Sequence, residues 1–252
     1  MYKRQLLPYE KNYLLKYGFD LDKIDDFGEM PVEYIVGNAE FCDLVFEVDK
    51  NVLIPRIETE ELVELVLKDI NNNSKKTLNI ADLGCGSGVI GLTLLKKVKN
   101  KDISLYLSDA SAKALKVAEK NYQKLFNKKQ NIKFLKSDLL KNYPEDIKFD
   151  YMIANLPYIP SNKLKKLEKT ALQFEPKLAL DGGPTGAEVI NKLFNQAKAK
   201  LNKDGKIFLE IDEEHNVANF KLDKFDKYNN FFIYKDSFNK NRFLRFKVLV
   251  KK

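Results

Sequence analysis

The sequence has no tryptophan and only one histidine, His215. Chemistry that needs a histidine pair or a multi-histidine metal site is thereby excluded. His215 sits in the polar stretch DEEHN and reads as a solvated surface residue. The two cysteines, Cys42 and Cys85, form no CxxC pair and no metal-ligand cluster. No metal is therefore expected, and a reduced, cytoplasmic setting is the economical reading. No run approaches the ~18 apolar residues of a membrane helix. The start, MYKRQLLPYEKN, lacks the apolar core of a secretory signal. There is no internal repeat and no low-complexity linker.

What is present suits a folded domain. Of 252 residues, 44% are hydrophobic and 12% aromatic, enough for a sizeable core in one large domain or a main domain with a small appendage. The formal net charge is +8. A basic balance favours anionic partners such as RNA, a ribosome or a nucleotide. It reads equally as a compositional bias, because the lysines are scattered (Lys96, Lys97, Lys99, Lys101, then Lys163, Lys165, Lys166) and form no block.

Three regions are expected. Residues 1–30 read as a short helical region, with Leu6, Leu7, Tyr13, Leu14, Leu15 and Tyr17 apolar before Gly18. Residues 31–57 read as a β-hairpin linker. Its first strand carries Leu44, Phe46 and Val48, its turn is Asp49-Lys50-Asn51, and its return is Val52-Leu53-Ile54. Residues 58–252 alternate strands and helices. ETEELVELVLKDI is an amphipathic helix with Leu62, Leu65, Val66 and Ile70 on one stripe. TLNIADLG, ISLYLSD, NIKFLKSD, FDYMIAN and DGKIFLEI are strands with helices between them, and FFIYKDS and RFLRFKVLV supply two more. This pattern predicts an α/β fold with a largely parallel sheet covered on both faces. Ligands of such folds bind at the carboxyl ends of the strands.

The chemistry-bearing residues fall at those ends. In NIADLGCGSGVIG, Gly84, Gly86 and Gly88, with Cys85 and Ser87 between them, permit a tight turn from strand to helix. The loop suits a dinucleotide or another adenosyl ligand, or simply the turn. The Gly-Lys-Ser/Thr ending of a Walker loop is absent. Asp109 ends the second strand, where a carboxylate can accept both ribose hydroxyls. At the end of the third strand, Asp138 could accept from an adenine amino group while Leu139 covers the ring. Asp82 is placed to organise the amides of the glycine loop. Asp82 and Asp138 also suit a helix or turn cap.

D-L-G-C-G-S-G, then S-D-A-S, then N-L-P-Y, resembles the class I S-adenosylmethionine-dependent methyltransferases. The resemblance implies a Rossmann-like seven-stranded sheet with an antiparallel seventh strand, and S-adenosylmethionine as cofactor. At the fourth strand's end, the amide oxygen of Asn155 and the carbonyl of Leu156 can accept from a planar NH₂. Pro157 holds the turn, and the ring of Tyr158 can pack on the substrate. A conjugated NH₂ attacks poorly, and two acceptors orient it and favour positive charge on nitrogen. A strand-terminating turn is the plainer use of the same residues.

N-L-P-Y resembles the ribosomal RNA adenine dimethyltransferases, whereas N-P-P-Y is usual in protein glutamine methyltransferases. The flanks resemble the latter. PVEYIVGNAEF, FEVDKNVLIPRIETEELVE, FEPKLALDGGPTG, LEI at 209–211 and KDSFNKNRFL at 235–244 are similar to the glutamine-N5 methyltransferases of peptide chain release factors. This implies as substrate the glutamine of the Gly-Gly-Gln loop, with Asn155 to Tyr158 as its cradle. Gly84 to Gly88, Asp109, Asp138, Leu139 and Asn155 would surround the cofactor. Arg56 and Glu58 shape the mouth under this resemblance, although a local ion pair or helix cap suits them equally. Phe174, Glu175 and Pro176 hold the loop over the substrate. A monomer is expected. Two departures stand out. Ile57 replaces the family's proline, and residues 1–30 stand where the family carries a longer helical bundle. The alternative is an adenine-N6 methyltransferase acting on ribosomal RNA or another nucleic acid. A third reading, a non-catalytic adenosyl- or RNA-binding module, fits an intact loop and cradle poorly.

Overall fold

The computed structural model describes residues 3–166, 173–220 and 230–247. In chain order it has α1 (Pro8–Lys16), α2 (Val32–Val36), β1 (Asn38–Phe41), β2 (Leu44–Glu47), α3 (Ile57–Asn71) and β3 (Thr77–Leu83). Next come α4 (Val89–Lys97), β4 (Asp102–Asp109), α5 (Ala112–Leu125), β5 (Ile132–Lys136), β6 (Phe149–Ala154) and β7 (Ile159–Pro160). The chain continues through β8 (Asp181–Gly183), α6 (Glu188–Ala197), β9 (Leu201–Glu210), β10 (Asn230–Lys235) and β11 (Asn241–Lys247). The end of RFLRFKVLV, residues 248–250, lies outside the described residues.

Seven strands form one sheet in the order β10-β11-β9-β6-β3-β4-β5. The central pairs are parallel, while β11 runs antiparallel to both β9 and β10. This is the expected parallel sheet with one reversed strand. Side chains alternate across it, as a period of two demands. Leu78 and Ile80 of β3, with Tyr151 and Ile153 of β6, join the core under α3 and α4. Ala81 and Leu83, with Met152 and Ala154, join the core under α6. Every residue of β6 is buried, which is why FDYMIA reads as a nearly unbroken apolar run. Its one charge, Asp150, accepts from Lys75 Nζ at 2.5 Å, Asn202 Nδ2 at 2.9 Å and the Asn79 amide at 2.9 Å, which offsets its burial.

The hairpin lies elsewhere than the alternation suggests. Its strands are β1 and β2, and its turn is Cys42-Asp43, with φ of 51° and 63°. Two successive left-handed residues make a tight turn that matches strand twist. Neither residue is the Asn or Gly that usually signals one. The expected turn at Asp49 does form, since Val52 N donates to Asp49 O at 3.1 Å. The return strand does not. Val52 instead packs with Val48, Ala114 and Val117, and the segment runs over the crevice described below.

His215 is also corrected. It is 3% exposed, its ring meets Phe220 edge-on at 5.6 Å, and Nε2 lies 3.3 Å from Thr185 O. Its acidic sequence neighbours say nothing of the phenylalanine that covers it.

Candidate functional site

The connection leaving β3 enters α4 on one face of the sheet, and the one leaving β6 leads to α6 on the other, so a crevice opens between the carboxyl ends of these two neighbouring strands. Open α/β sheets hold their ligands at such a crevice. A cavity of about 390 Å³ lies there, within the size range of small-molecule sites. Its walls include the glycine loop, Asp109, Leu139, Asn155, Leu156 and Pro157.

The loop is built for close approach. Gly86 has φ +54°, and a Cβ there would meet nothing within 4 Å. Gly88 is not on the cavity wall. It begins α4 at φ +82°, where a Cβ would lie 3.0 Å from Leu92 and 3.2 Å from Ala118. Its lack of a side chain serves helix packing. Asp109 holds the loop: Oδ2 accepts from Gly86 N at 3.0 Å and Oδ1 from Ser111 N at 2.8 Å. Burial raises its pKa, while these amides oppose the shift. An ionised carboxylate has about four lone-pair sites, so two remain for ligand hydroxyls.

Asp82 plays a different part from the one its position suggests. Its Oδ2 accepts from Gly91 N at 2.8 Å, inside α4 rather than in the loop, and Oδ1 is buried without a partner. Burial pushes its carboxyl from 3.8 up to about 7, with the Gly91 amide opposing and the Asp109 charge adding. The folded state therefore favours the protonated form. The stability this gives is full below the unfolded value and is lost as pH rises to about 7. Asp82→Asn keeps an acceptor for Gly91 and removes this loss. Its melting temperature relative to the parent should rise between about pH 5 and about pH 8. An offset equal at both pH values would contradict the assignment. Cys85 lies on the wall, its thiol pushed well up by burial and by the carboxylates of Asp82 and Asp109. It stays protonated and is no nucleophile.

Also on the cavity wall, Leu139 is buried at φ +55°. Asp138 also lines the cavity, but its carboxylate pairs with Lys192 of α6. An adenine amino group would have to share it.

In the cradle, Leu156 is 3% exposed, and its Cδ2 lies 3.0 Å from where a Gly84 Cβ would stand. Its side chain packs against the loop. Tyr158 differs from expectation. It is not on the cavity wall; its ring packs against the core containing Ile190 and Leu209, and its hydroxyl donates to Glu210 Oε1 at 2.9 Å. The ring braces the cradle instead of facing the cavity.

Two residues of the site had no role in the sequence reading. Thr59, on the first turn of α3, accepts from Asn155 Nδ2 at 3.0 Å and donates to Glu210 Oε2 at 2.7 Å. Glu210, the last residue of β9, is 1% exposed. An acid directly after the apolar run Ile207-Phe208-Leu209 was the available signal. At the mouth, Arg56 pairs with Glu175 at 2.6 Å, and Glu175 also accepts from Ile54 N at 3.1 Å. The pair ties the extended segment after the hairpin to the FEP segment. Arg56 and Pro176 line the cavity, whereas Glu58 and Phe174 do not.

The back of the cradle is backbone against backbone. β7 pairs with β8, and a Cβ on Gly186 would lie 2.2 Å from Tyr158 O at φ +81°. Gly186→Ala must therefore displace the cradle. We expect a loss of about 2 kcal/mol or more in urea unfolding. An unchanged midpoint would contradict this packing.

Residues 59–174 match the family model described as "Methyltransferase small domain". The chain is 40% identical over 181 residues to the release factor glutamine methyltransferase of Leptospira interrogans, covering 72% of this chain and 62% of that one. It is 34% identical over 221 residues to the protein of that name from Flavobacterium psychrophilum, covering 86% and 75%. The chain thus spans less than two thirds of the Leptospira protein's length and three quarters of the Flavobacterium protein's. A solved methyltransferase of Pyrococcus furiosus is similar in fold, with a TM-score of 0.59 at 13% identity, covering 97% and 100%.

Proposed function

This chain belongs to the family of release factor glutamine methyltransferases, and from that premise we propose that it methylates the side-chain amide nitrogen of a glutamine. The substrate is the Gly-Gly-Gln loop of peptide chain release factors, and the methyl donor is S-adenosylmethionine. The observation that carries the reading is the Asn155 amide. Its nitrogen is committed to Thr59, which leaves Oδ1 as the acceptor on the cavity side, next to the glycine loop.

The residues fit the cofactor. Gly86 leaves open space beside the loop, Asp109 keeps lone pairs for vicinal hydroxyls, and Leu139 offers an apolar wall. When bound, S-adenosylmethionine supplies an electrophilic methyl group on a sulfonium. The chain's own residues handle the acceptor. Asn155 Oδ1 and the Leu156 carbonyl receive the two N–H bonds of the glutamine amide and turn its nitrogen toward the loop. They also favour positive charge as it develops on that nitrogen. The methylated amide is then acidic enough to release a proton without a strong base, which suits a cavity whose wall carries no histidine among the described residues. The two glycines before the glutamine let the substrate backbone come close to the Arg56–Glu175 mouth.

Leu156 has little influence on the choice between amide and adenine. Its side chain is buried against the loop, and only its backbone is offered to a substrate. Among the described residues no helix is long and apolar enough to cross a membrane. The test is incubation with methyl-labelled S-adenosylmethionine, a release factor and unmodified ribosomal RNA. Label on the release factor, lost when its Gly-Gly-Gln glutamine becomes alanine, supports the reading. Label on RNA alone overturns it.

A further inference from the structure

An asparagine amide can sit in a cradle in two nearly isosteric ways, with oxygen and NH₂ exchanged. Only one of them offers an acceptor to a substrate amide, so something must select it. The selector can be read from hydrogen-bond counting. A threonine hydroxyl has a single proton to give. That of Thr59 goes to Glu210 Oε2 at 2.7 Å, a length usual for a hydroxyl on a carboxylate. The other oxygen, Oε1, accepts from Tyr158 at 2.9 Å. Glu210 is thus met by two donors. Burial raises its pKa, and the hydrogen bonds from Thr59 and Tyr158 and the charge of Arg242 on β11 oppose that rise. With a hydroxyl proton donated to each oxygen, the carboxyl group acts as an acceptor toward both. Thr59 is left with lone pairs toward Asn155, so only the NH₂ of Asn155 can face it, at 3.0 Å.

We propose that Thr59 and Glu210 are positioning residues that fix the amide orientation of Asn155 and so make the cradle accept an NH₂ donor. The proposal rests on the glutamine reading above. It gives the site a polarity: a glutamine amide donates two protons, whereas the carboxylate of a glutamate has none to offer. Thr59 is 3% exposed and Glu210 1%, so both bonds are made inside the protein. The chain of donors runs one way, from Asn155 through Thr59 to Glu210, and each link removes the freedom of the link before it.

The test compares the full chain with Thr59→Val and Thr59→Ser. Valine keeps the shape and removes the hydroxyl; serine keeps the hydroxyl. We expect kcat on a release factor to fall ~10- to 100-fold in the valine variant, with KM and the S-adenosylmethionine Kd changed by less than about threefold. Serine should recover most of the rate. A valine variant within about twofold of the parent in kcat overturns the proposal. So does one whose lost rate is matched by weaker cofactor binding and a lower melting temperature, because that is a structural role. A second readout needs no turnover. In ¹⁵N-labelled parent, the Asn155 side-chain NH₂, assigned by its absence in Asn155→Ala, should resist exchange with solvent, and it should lose that protection in the valine variant. Equal protection in both overturns the proposal. A parent that binds S-adenosylmethionine but labels no release factor overturns the glutamine reading instead, and the exchange measurement then decides the orientation by itself.

Discussion

Asn155→Ala should lower kcat at least ~100-fold while S-adenosylmethionine binds with nearly parental affinity. The substitution removes the one side-chain acceptor that the cradle offers a substrate nitrogen. The glutamine amide would then be held by a single backbone carbonyl, free to swing, and its developing charge would lose one of its two acceptors. Single preorganised groups of this kind contribute on the order of 10²–10³ in rate at other sites. The fold has little reason to fail, because Asn155 lies just beyond β6, and Leu156 and Tyr158 anchor the loop through their own contacts. The measurement is single-turnover methylation of a release factor beside calorimetry of the cofactor. A parental kcat would mean that the amide is held by some other group.

The site's frame could be read from the chain because a parallel sheet brings strand ends together whatever lies between them. Asp109 closes one strand, Asn155 directly follows another and the glycine loop follows a third, so the parallel pairing of those strands places all three at one edge. What escaped depends on contacts distant in sequence. Thr59 meets Glu210 across 151 positions, and nothing in IPRIETE or FLEI states that one faces the other. Tyr158 looked like a stacking ring because it follows Asn155, yet Glu210 draws its hydroxyl away from the cavity. His215 looked solvated because propensity sees its neighbours in sequence and not Phe220. The hairpin turn escaped for a local reason. Cys42 takes a left-handed conformation that cysteine seldom advertises, and Asp43, a type that does favour it, does not mark the turn by itself.

Asp109 yields the second large effect, and it separates binding from chemistry. Asp109→Ala should weaken S-adenosylmethionine binding by ~30- to 100-fold, about 2–3 kcal/mol, the usual worth of hydrogen bonds to a charged group. Rate at saturating cofactor should change far less. Asp109→Asn should do almost as badly, although it is nearly isosteric. Both carboxylate oxygens already accept from backbone amides, Oδ2 from Gly86 and Oδ1 from Ser111. An asparagine must turn its NH₂ toward one of these N–H groups. It thus opposes donor to donor, loosens either the glycine loop or the start of α5, and leaves one oxygen for two ribose hydroxyls. Calorimetry of the three proteins decides the matter. Parental affinity in the asparagine variant would mean that Asp109 acts only as a spacer and that the ribose is held elsewhere. A loss shared by both variants would place the grip on a carboxylate that must accept from the protein and the ligand at once.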